Sequence, residues 1–195
     1  MIILGSKSPR RFELLSDYFD DIKVIAPEID EQNHLNLAPE EYVKWLSRKK
    51  AEAVIEVLDT KERESLIVAA DTIVVYEHSI LEKPRSCEEN LEFLIRLNGK
   101  KHSVYTAFTL CYQGEFITEL CSSEVEFWEC NFNALKQYTD SGIGLDKAGG
   151  YGIQGSGKFL VKGIVGDFYS IMGFPISRFI HLLGEKNWHI SGYKY

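Results

Sequence analysis

The chain has 195 residues, 45% of them apolar and 26% charged, with five prolines and a formal net charge of −7. A chain of that length buries about 70% of the surface that its unfolded form exposes, so a core of its own is expected, and the composition is neither that of a disordered polymer nor that of a membrane span. The negative balance repels a phosphate backbone and no basic block offsets it, which argues against a polymeric nucleic-acid partner but not against a small phosphorylated ligand held by a few placed cations.

Cys87, Cys111, Cys121 and Cys130 form neither a C-x-x-C pair nor a zinc spacing, so buried free thiols in a reducing compartment are expected. No basic segment precedes the apolar residues Ile2, Ile3 and Leu4, so no export signal is read and a cytoplasmic protein, with no membrane partner, is expected.

No repeat or linker interrupts the sequence, and one α/β domain over residues 1–195 is expected, with two lobes flanking a cleft. Residues 2–4 read as a short strand, followed by a polar loop and a helix whose apolar face is Phe12, Leu15 and Phe19, with Leu14 and Tyr18 beside them. Ser8 is placed to cap that helix and Pro9 to begin it. Residues 22–26 predict a strand that leads into the acidic loop Glu28-Ile29-Asp30-Glu31. The next helix, from Pro39 to about Leu58, carries the stripe Val43, Leu46, Val54 and Val57.

Residues 66–76 are too β-branched for a comfortable helix and predict a central strand, interrupted by Asp71 and Thr72. Ser86-Cys87-Glu88-Glu89 fits a capping box for a helix with Leu91, Leu94 and Ile95, stopped at Gly99. Residues 103–112 and 116–128, joined through Gln113-Gly114, predict antiparallel strands. A short helix follows at 133–140. Ten of the fifteen glycines then fall between Gly142 and Gly173, before a last helix at 175–183.

Four features of this pattern bear chemistry. Along Ser6-Lys7-Ser8-Pro9-Arg10-Arg11, free amide groups, a helix dipole and two guanidinium forks converge, which makes an anion site; an ordinary capped helix with solvated arginines is the plain alternative. Asp71 is costly in so apolar a strand unless a metal, a lysine or the mouth of a cleft compensates it; a bond to a neighbouring loop would also serve. Lys50 lies seven residues from both Val43 and Val57, on the buried face of its helix, so it snorkels or finds a counter-charge such as Glu31 or a phosphate. Lys83, in the loop after the Asp71 strand, is a second cation.

The stretch from Gly149 to Gly155 lets backbone approach a ligand closely, with Gln154 offering a donor and an acceptor to a base edge. Gly152 to Lys158 has the spacing G-x-x-x-x-G-K, but Phe159 replaces the hydroxyl residue and the next residues read as strand, so a P-loop is rejected. The histidines lack metal-ligand spacing, and Glu31 and Asp71 suit magnesium or manganese better than zinc. No G-x-S-x-G elbow is present.

Together these pieces resemble the Maf family of nucleotide pyrophosphatases. The likeness runs through Ser6 to Arg11, Asp30-Glu31, Arg48-Lys49-Lys50-Ala51, Ala70-Asp71-Thr72-Ile73-Val74 and Glu82-Lys83-Pro84. It continues through His102-Ser103-Val104-Tyr105-Thr106, residues 146–155, and Gly166-Asp167-Phe168-Tyr169 ahead of Gly173-Phe174-Pro175. It implies a mixed-sheet α/β fold like that of the inosine triphosphate pyrophosphatases, often a homodimer, that hydrolyses noncanonical or pyrimidine nucleoside triphosphates between the α and β phosphates.

Arg10, Thr72 and Gln154 match the positions that look like the branch acting on dTTP and UTP. The implied site is Asp71 as general base or metal ligand, Glu31 and Asp71 around a magnesium or manganese ion, and Ser6, Ser8, Arg10, Arg11, Lys50, Thr72, Lys83 and Gln154 on the substrate. House-cleaning of the nucleotide pool is the implied role, and a nucleotide-binding regulator of cell division with incidental hydrolysis is the alternative. Gly150 stands where alanine is usual, Ala107 where glycine is common, and Ser170 where asparagine is frequent.

Overall fold

The β-branched and aliphatic runs of the sequence assemble into one seven-stranded mixed sheet, seen in a computed structural model that describes all 195 residues. The strands are β1 (Ile2–Gly5), β2 (Ile22–Val24), β3 (Leu66–Tyr76), β4 (Ser79–Leu81), β5 (Lys101–Tyr112), β6 (Glu115–Phe127) and β7 (Val161–Val165). Their order is β2-β1-β3-β5-β6-β7, with β4 paired to β3. β1 runs parallel to both β2 and β3, whereas β3 with β4 and β6 with β7 are antiparallel. The helices are α1 (Pro9–Ser16), α2 (Pro39–Val57), α3 (Cys87–Leu97), α4 (Phe132–Asp140), α5 (Phe168–Met172) and α6 (Ile176–Glu185). None is long and apolar enough to cross a membrane.

The chain divides into two compact units, and the division cuts through β3 between Asp71 and Thr72. Unit one comprises Met1–Asp71, Thr106–Cys121 and Gly173–Tyr195. Its core sets Ala51, Val54 and Leu58 of α2 and its C-cap against Ile3, Ile67 and Ala69 of the sheet, and a group of rings, Phe19, Phe108, Phe174 and Phe179, packs edge to face or tilted. Unit two comprises Thr72–Tyr105 and Ser122–Met172. Its core joins Val74, Leu94, Leu97, Val125, Phe127 and Tyr151.

Several expectations shift when the packing is seen. Phe12 is 42% exposed, and Arg11 lies buried with Leu14 and Leu15 on the inner face of α1 in its place. Val57 and Ile95 are also exposed, because each lies beyond the arc that its helix buries; Ala51 and Val54 serve α2, and Asn90, Leu94 and Leu97 serve α3. β2 is shorter than residues 22–26, and α6 starts one residue after Pro175. All four cysteines are free thiols, but only Cys111 is buried.

Other details follow the sequence closely. Ser86 caps α3 by accepting from the Glu89 amide at 3.2 Å, and Glu89 accepts from the Arg85 amide at 2.6 Å. Gln113 and Gly114 both have positive φ in the two-residue turn that reverses the chain from β5 to β6, the geometry that suits the twist of a hairpin. β7 occupies the position where a P-loop would need a helix.

Candidate active site

Parallel pairing gives the site its location. Gly5, the last residue of β1, is in register with Ala69 of β3, so the loop that starts at Ser6 emerges beside the segment that ends at Asp71. Ligands of open α/β sheets gather outside such carboxyl ends of parallel strands. The loop is braced internally: the Ser6 hydroxyl accepts from the Ser8 amide at 3.2 Å and from Arg11 Nη1 at 3.0 Å. Arg11 Nε donates to the Gly173 carbonyl at 2.8 Å. Ser8 holds the N-cap position with extended backbone, yet its side chain makes no capping bond.

Burial draws the Arg11 guanidinium below its ordinary pKa, and the negative charges of Asp71 and Glu31 oppose that effect. Electrostatically, then, Arg11 belongs with these two acids. Arg10 is the half-buried neighbour on the same helical turn.

The acids meet on Lys50. Its ammonium donates to Asp71 Oδ1 and lies 2.7 Å from Glu31 Oε1. Three cations in a row on α2 have different fates. Arg48 lies 3.5 Å over the Phe116 ring and bonds Glu52, Lys49 also pairs with Glu52, and Lys50 alone turns to the acids. The helical period explains this: Lys50 is four residues from both Leu46 and Val54, which are buried, so its stem follows the inner face of α2.

The Lys50 and Asp71 side chains are each only 13% exposed, whereas Glu31 is 54% exposed and sits on a loop. That loop has its own ties. Asp30 accepts from the Gln32 amide at 3.0 Å and contacts His34 Nε2 at 2.9 Å, which holds its carboxyl below the usual range. Tyr42 of α2 donates its hydroxyl to the Glu31 carbonyl. Tyr42 and Gly173 were both missed as supports of the site. Tyr42 carried a signal, since it precedes Val43 on a buried stripe; a carbonyl acceptor such as that of Gly173 leaves none.

Two carboxylates converging on one cationic point form a hard oxygen donor set. Such a pair fits magnesium or manganese, which take one or two protein carboxylates and complete their shell with substrate oxygens and water. No group of three or more His, Cys, Asp or Glu side chains placed to hold a metal gathers in the structure, so Glu31 and Asp71 are the two that could serve such an ion.

Thr72, Lys83 and Gln154 belong to the second unit. Thr72 is half-buried on β3; Lys83 and Gln154 are exposed on loops. Those two loops are joined, because the Gly149 amide donates to the Glu82 carbonyl at 3.1 Å. Gly149 has φ +68°, and a Cβ there would lie 2.9 Å from Val74 side-chain atoms, so the glycine at this position serves close packing of the loop on β3. Tyr151 is pinned by a 2.7 Å bond between its hydroxyl and His102 Nε2, and the Gly152 amide donates to the Tyr138 hydroxyl at 3.3 Å.

Comparison with known proteins accords with this geometry. The family model described as Maf-like protein matches residues 1–186. A dTTP/UTP pyrophosphatase of Bacillus anthracis (strain CDC 684 / NRRL 3495) is 40% identical over 186 residues, covering 95% of each chain. One from Halalkalibacterium halodurans is 40% identical over 182 residues, covering 93% of this chain and 94% of its own. Another from Bacillus velezensis is 38% identical over 186 residues, 95% and 96% of the two chains. With sheet, loop motif and full-length likeness in agreement, this chain belongs to the Maf-like protein family.

Proposed function

We propose that the protein hydrolyses nucleoside triphosphates, dTTP and UTP foremost, to the monophosphate and pyrophosphate, as a house-cleaning enzyme of the nucleotide pool. The observation that carries this reading is the meeting of Asp71, Lys50 and Glu31 beside the braced loop of Ser6 and Arg11. The relatives named as dTTP/UTP pyrophosphatases support the choice of substrate.

The residues divide the work as follows. Amide groups at the head of α1 and the Arg10 fork take phosphate oxygens, and Arg11 keeps the loop in shape while adding its charge. Lys50 fixes the Asp71 carboxylate through Oδ1, and Asp71 takes a proton from a water whose oxygen forms a bond to the α phosphorus. The bond from that phosphorus to the bridging oxygen breaks, and pyrophosphate leaves with the electron pair. Glu31 and Asp71 would hold a divalent ion, which would supply Lewis-acid neutralisation of the developing phosphoryl charge. Lys83 adds a cation for the polyphosphate, and Thr72 and Gln154 read the pyrimidine.

Asp71→Asn keeps the shape and the bond with Lys50 but cannot take the proton. Its turnover of UTP is expected to fall by at least about 100-fold, the usual scale of a general base, with circular dichroism unchanged. A folded variant of near-normal turnover would remove Asp71 from this role.

A further inference from the structure

Asn90 is fully buried at the end of the first turn of α3, and neither its side-chain Oδ1 nor its Nδ2 meets a hydrogen-bond partner in the protein. Its surroundings are two glycines. A Cβ built on Gly144 would lie 2.2 Å from Asn90 Nδ2, and one on Gly150 would lie 2.0 Å from Asn90 Oδ1. Real Cβ contacts do not approach so closely, so the amide needs both positions to lack a side chain; at Gly144 the Gly150 carbonyl, 2.2 Å from the same Cβ position, makes the same demand. Glycine at 150 thus answers two demands, room for the Asn90 amide and a left-handed backbone with φ +75°.

The wedge stands at a junction. Pro84, the residue after Lys83, comes within 3.6 Å of the same Gly150 Cβ position. One residue before Gly150, the Gly149 amide holds the Glu82 carbonyl, and one residue after it Tyr151 is held by His102. Lys83 and Gln154 thus hang from one scaffold whose centre is filled by an amide without hydrogen bonds. Its close packing against Gly144 and Gly150 ties its shape to the path of both loops.

We propose that Asn90 is a positioning residue for nucleotide binding, wedged between Gly144 and Gly150 so that the Lys83 loop and the Gln154 loop are held as one rigid body. This rests on the proposed function only in taking Lys83 and Gln154 as nucleotide contacts. A positioning role moves affinity; a purely structural role lowers the fraction of active protein and leaves affinity alone.

The test is calorimetric titration with α,β-methylene-UTP, which reads binding without turnover, beside steady-state UTP hydrolysis. Gly150→Ala is expected to weaken analogue binding and raise KM by 10-fold or more. Adding Asn90→Ala removes the clash with the amide and should improve both by at least 3-fold over Gly150→Ala, the remaining deficit being the strain of alanine at φ +75°, with kcat little changed throughout. Asn90→Ala alone, the variant least apt to misfold, should weaken binding 3-fold or more. Unaltered binding by either single variant, or a double variant no better than Gly150→Ala, overturns the inference. A parent protein that binds the analogue but turns over no UTP overturns the proposed hydrolysis and leaves the wedge standing; one that binds no analogue overturns both.

Discussion

Lys50 has a single ammonium group and two carboxylates to satisfy, and that imbalance gives the site its character. The acids outnumber the cation, so further positive charge is favoured nearby. Arg11 meets part of that demand while committing two of its N–H groups to Ser6 and Gly173. The sequence announced Lys50 through its spacing from Val43 and Val57; the position was right although Val57 turned outward, because Leu46 and Val54 place Lys50 on the inner face equally well. Asp71 was legible as a charge in an oily strand. Asn90 was not, although it shares the stripe of Leu94 and Leu97; an asparagine there reads as ordinary until the two glycines opposite it are known.

His102 allows a residue-scale test by pH. Burial lowers its pKa from 6.5 to about 4, with the Tyr151 hydroxyl on Nε2. Between those two values the unfolded chain carries one more proton at this position than the folded one, so stability falls as the pH falls from 6.5 towards 4 and is unaffected above that window. The slope from this one group is about 1.4 kcal/mol per pH unit. His102→Gln keeps a polar group and loses the titration. Its stability between pH 6.5 and 4, measured by urea unfolding, should fall less steeply than that of the parent. Parallel curves would show that His102 is protonated equally in both states.

At the scale of elements, local rules were most informative where they act through backbone. The Ser86 cap, the stop at Gly99 and the Gln113-Gly114 turn all follow from propensities that need no tertiary context. β4 escaped notice because its turn places Glu77 and His78, not glycine or asparagine, in the left-handed region, with φ of 48° and 63°. α5 has only five residues, too few for a period to show. Ser170 turns its hydroxyl to the Asp167 carbonyl at 2.7 Å and to Ser123 at 2.9 Å, which ties the start of α5 to β6.

The C-terminal tail offers a second test at this scale. Beyond the matched residues 1–186, it folds back on the end of α1. Lys194 Nζ donates to the Ser16 carbonyl at 2.6 Å, and the Lys194 amide donates to the Tyr18 carbonyl at 2.9 Å. Tyr193 stacks at a tilt against Phe19 with ring centres 5.2 Å apart. The last turn of α1 has no basic residue of its own, so Lys194 supplies the cation that a helix C-terminus favours. Removing residues 188–195 uncovers Phe19 and should lower the melting temperature by about 5 °C. A truncated protein that melts with the parent would show the tail to be passive.

At the scale of the whole molecule, what the sequence concealed was the partition of the chain. The boundary between units falls inside β3, between the acid Asp71 and its neighbour Thr72, where no proline, glycine or polar run marks it. Each unit is also discontinuous, because β5 and β6 each pass from one to the other. The order of the motifs along the chain was readable. Their division was not, since it depends on pairing between strands far apart in the chain, such as β1 with β3, where Ile2 faces Leu66.

The account stands or falls on where water attacks. Hydrolysis of UTP in ¹⁸O-labelled water with magnesium or manganese, followed by mass spectrometry of the products, reads this directly. Attack at the α phosphorus gives sustained turnover, with one labelled oxygen in UMP and none in pyrophosphate. Label in pyrophosphate, or release of orthophosphate with UDP, would contradict it.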